Sequence, residues 1–173
     1  MLIFKYCRIY LVAFVISGRE NLAASEINLL EAPIGTLAFA SIHEAGHFTV
    51  AKACGLSSVS ARVFQLYKSG VGTFWKGQTN LGRGYVGKRM ALIKLGGSFA
   101  EHFLDSSNRI YLPSFIDVVG DRSVISQSDQ ITHMDLGGDS VLEAQRRTFF
   151  ILRGRLADLD RIYKNLLQRH SHP

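Results

Sequence analysis

Apolar residues dominate the stretch between Thr36 and Cys54, on both flanks of His43 to His47. A helix that is apolar nearly all round is a buried one. Lys52 falls in its last turn, and Gly55 stands where a terminating glycine belongs. The pattern then changes period. Val59 to Leu66 alternates and carries β-branched residues, which predicts a strand. Ser69-Gly70 turns the chain, and Val71 to Trp75 predicts a second strand. Glycines at 70, 72, 77, 82, 84 and 87 make the surrounding stretch loop-rich. Helical spacing returns from Lys88 to Leu104 through Met90, Leu92, Ile93, Leu95, Phe99, Ala100 and Phe103. Gly96-Gly97 in its middle implies a close helix–helix approach. Asp105 to Gln130 is irregular and suits a loop over a site. The last helical pattern runs from Asp139 to Arg169, with Gly154 as the candidate break.

The first 17 residues are strongly apolar but interrupted by Lys5 and Arg8. Ile9 to Ile16 is too short to span a bilayer, which takes about 20 residues. The stretch fits the apolar core of a signal peptide, an interfacial anchor, or sequence upstream of the true start. The chain therefore divides into an apolar segment and linker, 1–26, and one domain, 27–173. The elements predict an α+β fold, mainly helical, with a small β-sheet.

Composition changes this picture little. The chain has 173 residues, 47% hydrophobic and 20% charged, which suits one domain with a real core. The net charge of +6 is spread along the chain, and many basic residues lie on the last helix. That reads as solvated helix faces and predicts no nucleic-acid partner. Cys7 and Cys54 are too few for a disulfide framework or a cysteine zinc site.

The candidate chemistry lies in His43-Glu44-Ala45-Gly46-His47, which reads H-E-x-x-H. His43 and His47 sit four apart and share one helix face. Two imidazoles there can grip one Zn²⁺, and Glu44 beside them can take a proton from water. The apolar flanks bury these groups, and buried polar groups need partners, which a metal supplies. Gly46 inside a helix costs about 1 kcal/mol against Ala, so a packing reason is expected.

A catalytic zinc site wants a third protein ligand. The metzincin position, six residues after His47, is Ala53 and is rejected. Asp139 heads the last helix and is the preferred third ligand; the bland reading of it is a helix cap. Asp135 and Glu101 are the alternatives, followed by Asp129 and His133. Glycines 82 and 87 with Lys88 nearly form a phosphate-binding loop. Arg89 replaces the hydroxyl that would hold Mg²⁺, so nucleotide binding is set aside.

His43-Glu44-Ala45-Gly46-His47, then Leu95-Gly-Gly-Ser-Phe-Ala-Glu101, then an Asp-bearing segment opening a helix, resemble in order the zinc peptidase domain of FtsH-type membrane proteases. The resemblance spans about residues 36–150. It implies a zincin-like metalloprotease domain without its AAA+ ATPase module, and a zinc metalloendopeptidase hydrolysing polypeptide. It implies Zn²⁺ held by His43, His47 and Asp139, Glu44 as the base, and Glu101 orienting an imidazole. Gly72, Thr73 and Phe74 would form the strand edge that pairs with substrate. The register of the Asp is one residue off the family pattern, where Ser140 stands. A separate ATPase or a homo-oligomer is the implied partner, and the implied location is cytoplasmic at the inner membrane, through residues 1–17. The rival reading is a non-catalytic zinc or peptide-binding module derived from a protease.

Overall fold

A computed structural model describes residues 36–70, 72–82, 89–120 and 131–169. The apolar segment 1–17, the linker after it, most of the phosphate-loop-like stretch and Asp129 lie outside the described residues.

Helix α1 spans Leu37–Ala53. Thr36 caps it, its hydroxyl accepting the Phe39 N–H at 3.1 Å. Gly55 closes it at φ +85, a left-handed conformation that favours glycine. The hairpin follows, with β1 at Ser60–Lys68 and β2 at Gly72–Asn80. The strands pair antiparallel from Ser60↔Asn80 to Lys68↔Gly72. β2 therefore runs five residues past the expected end at Trp75, and Lys76 to Asn80 are strand rather than loop. Backbone pairing needs no side chain, so Gly77 can sit in the ladder opposite Val63.

Helix α2 spans Met90–Glu101 and lies along α1. The seam is glycine on glycine. A Cβ on Gly96 would lie 2.9 Å from the Gly46 carbonyl oxygen, and one on Gly46 would lie 2.5 Å from Ala100 Cβ. This close approach explains both helix-interior glycines.

Residues after α2 are more ordered than expected of a loop. Leu104 bridges to Ile110, and a short helix α3 forms at Phe115–Gly120. Ser114 starts α3, its hydroxyl accepting the Asp117 N–H, and Phe115 packs on Phe149 with ring centroids 5.3 Å apart. A one-turn helix α4 follows at His133–Leu136. α5 spans Val141–Gly154 and α6 spans Leu156–Gln168, with the break at Arg155 immediately after the expected glycine.

The architecture is mainly helical α+β with one two-stranded antiparallel sheet among the described residues. α1 is central and touches α2, α5, α6 and both strands. Ile42, Val50, Leu95, Phe103, Phe149, Leu152, Leu159 and Tyr163 are fully buried around it. Thr148 Oγ1 donates to the Leu92 carbonyl at 3.3 Å and fixes α5 against α2. Among the described residues no helix is long and apolar enough to cross a membrane.

Candidate metal centre

His43 and His47 lie one turn apart on α1, and their Nε2 atoms approach to 2.9 Å. The other nitrogen of each ring is engaged. His43 Nδ1 lies 2.8 Å from Glu101 Oε1, and His47 Nδ1 lies 2.7 Å from the Ile93 carbonyl oxygen. A carbonyl and an ionised carboxylate only accept, so each Nδ1 carries a hydrogen. In the neutral rings both Nε2 atoms then present lone pairs to one another. Lone pairs at that separation need an electrophile between them, a proton or a metal ion.

Glycine makes room for it. A Cβ on Gly97 would lie 2.5 Å from His47 Nε2 and 2.6 Å from His43 Nε2. α2 can therefore pass in front of the two nitrogens only because it carries no side chain there. Imidazole donors with acceptors behind them are the donor chemistry of zinc sites. The pair fits two of the ligands such an ion takes.

Glu44 is 5% exposed and turns toward β2. Its carboxylate accepts from the Thr79 hydroxyl. Gly77 lies against the same side chain, so closely that any Cβ there would collide with it. Burial would penalise this carboxylate without a donor, and Thr79 provides one.

The three residues open onto a cavity of about 550 Å³. Met90, Ile93 and Lys94 line it from α2. Phe64 and Leu66 line it from β1, and Lys76 to Thr79 line it from β2.

The expected substrate strand does not line the cavity. Gly72, Thr73 and Phe74 pair with Lys68, Tyr67 and Leu66 at the turn end of the hairpin, and the cavity is lined instead by Lys76 to Thr79. The chain from Asp105 to Gly120 does not line the cavity either.

The carboxylates fall in three places. Glu101 stands behind His43, on the ring nitrogen away from the Nε2 pair. Asp139 pairs with Arg147 at 2.9 Å and does not line the cavity. The cap of α5 is Ser140, whose hydroxyl accepts the Glu143 N–H at 3.1 Å, so Asp139 is neither the cap nor beside the histidines. Asp135 pairs with Lys94 at 2.9 Å, one link from the cavity. Burial opposes its charge, yet the Thr132 N–H and hydroxyl and the Lys94 ammonium hold its carboxyl below the usual range. Among the described residues no three His, Cys, Asp or Glu side chains converge as a metal set. The side chain of His133 and all of Asp129 lie outside them.

Sequence reasoning missed Gly77, Thr79, Lys76 and Lys94. One signal was present: a glycine inside a strand marks close backbone approach. Comparisons with family models, with curated proteins and with solved structures gave no match to this chain.

Proposed function

We propose that the chain is a zinc-dependent metallopeptidase of zincin-like fold, resembling an FtsH-type peptidase domain that stands apart from its ATPase. One observation carries the reading: two imidazole Nε2 atoms converge, each ring is held from behind by an acceptor, and Gly97 puts no side chain against them. His43 and His47 would hold the ion. On the family pattern the third ligand would be Asp139, which here pairs with Arg147 away from the cavity. Asp135 is the competing donor, favoured by its link through Lys94 to the cavity wall.

Bound zinc supplies Lewis acidity, polarising a peptide carbonyl and making water acidic enough to lose a proton near neutral pH. The rest falls to the chain. Glu44 takes the proton of the attacking water and later passes it to the leaving amine. Thr79 holds the Glu44 carboxylate in one orientation for both transfers. Glu101 and the Ile93 carbonyl fix the tautomer of each histidine. The β2 backbone near Gly77 offers an edge on which an extended peptide can lie beside Glu44. Polypeptide is the partner. A separate ATPase or a ring of copies would feed folded substrates, and residues 1–17 would hold the domain at the inner membrane.

The test is zinc per chain and peptide hydrolysis, measured on wild type and Glu44→Gln. About one zinc in both, with hydrolysis reduced by about 10²–10⁴-fold in the variant, is the expected result. Zinc retained with no hydrolysis by wild type would select the binding-module reading. No zinc after reconstitution would end both.

A further inference from the structure

The cavity has a charge asymmetry that the proposed hydrolysis does not use. Its charged lining groups are Glu44, Lys94 and Lys76. Glu44 is engaged by Thr79, and Lys94 is balanced by Asp135. Lys76 has no hydrogen-bond or ion-pair partner among the described residues, yet it is half-buried. A lysine held that way lays its stem along apolar surface and keeps its ammonium at the rim. Its cross-strand neighbour is Phe64, which shares its face of the hairpin. Phe64, Leu66, Met90 and Ile93 supply an apolar wall in the same cavity.

Position sharpens the point. Lys76 immediately precedes Gly77, the residue packed on Glu44. One strand residue is about 3.3 Å, so the two are neighbours along the backbone, but their side-chain positions alternate, Lys76 on the face of Phe64 and Gly77 on the face that meets Glu44. A cation on the Phe64 side of the cavity wall attracts a carboxylate that lies beside an apolar side chain.

We infer that Lys76 selects peptides bearing a carboxylate next to an apolar side chain. This rests on the reading that the cavity takes peptide. The carboxylate comes either from an acidic side chain or from the peptide's own C-terminus; both present the same group to the ammonium. Lys94 takes no such part, because Asp135 already answers its charge.

The experiment uses the full chain loaded with zinc and four labelled short peptides sharing one Phe. One carries an internal Glu with an amidated end, and its control carries Gln. One carries a free C-terminal carboxylate beside the Phe, and its control is amidated. Binding is read by fluorescence anisotropy on Glu44→Gln, and hydrolysis on the chain with Glu44 intact. The carboxylate peptide of at least one pair should bind about fivefold tighter than its amide control, an advantage that shrinks with salt. The pair showing it identifies the source of the carboxylate. Lys76→Met should erase the difference, and Lys76→Glu should turn it toward a Lys-bearing peptide. Equal binding of acid and amide, or a preference that survives Lys76→Met, overturns the inference. Carboxylate-dependent binding without cleavage of any peptide overturns the peptidase reading and leaves the selectivity standing.

Discussion

The two sides of α1 are built differently. Toward α2 the contact is backbone on backbone at Gly46 and Gly96, and each histidine is held at Nδ1 with its Nε2 facing the other's. Toward the hairpin, Glu44 meets one hydroxyl and one glycine, on a sheet of only two strands. A two-stranded hairpin is marginal without a partner surface. The proposed metal donors thus sit on the stiff side and the proposed base on the yielding side. A metal pair must keep its separation, whereas a base and a substrate wall gain from some give. Disturbing either side should leave a distinct trace.

The largest effect should come from filling the stiff side. Gly97→Val puts carbon where the two Nε2 atoms converge, so zinc per chain should fall from about one to near zero by elemental analysis. Full zinc in that variant would show that the ion does not sit between those nitrogens. Gly77→Ala disturbs the yielding side alone. A shift of Glu44 by about 1 Å is worth about 100-fold in kcat, with zinc content unchanged. Loss of zinc there would mean the two sides are not separable. Glu101→Gln keeps the shape behind His43 and removes the charge. Zinc affinity should drop about tenfold in a chelator competition, with hydrolysis recovering at high zinc.

The smallest effect is on pH. Asp135 is held below its ordinary 3.8, so its contribution to stability is present above that value and is lost as pH falls through the lower, folded value. The difference in unfolding free energy between wild type and Asp135→Asn, read from urea titrations, should be visible at pH 5 and shrink as pH falls below 3.8. It should amount to about 1 kcal/mol or less. A difference that grows in acid would reverse the assignment.

Much of the stiff side was legible in the sequence, because its signals are local. The histidine spacing, the buried α1, the cap at Gly55 and the break after Gly154 follow from period and punctuation. Gly46 and Gly96-Gly97 announced a close approach, and the seam is there. The yielding side was mostly hidden. Gly77 reads as loop because glycine is rare in strands, and only Glu44, 33 positions earlier in the chain, explains it. Asp139 and Ser140 are both good caps, and one residue of phase decides between them. The buried face of α5, with Ala144, Thr148, Phe149 and Leu152, sets that phase at Ser140. Ser114 and Phe115 could seed a turn of helix only once Phe149 was there to receive the ring.

α1 touches α2, α5, α6 and both strands. Its amide protons should therefore be among the last in the chain to exchange with deuterated solvent, leaving only when the whole fold opens. Those of the hairpin should go earlier, by partial opening. The histidines would then outlast the wall above them, and a molecule with its hairpin lifted would still present its metal donors in place. Renewal of the substrate surface and survival of the ion would run on separate clocks.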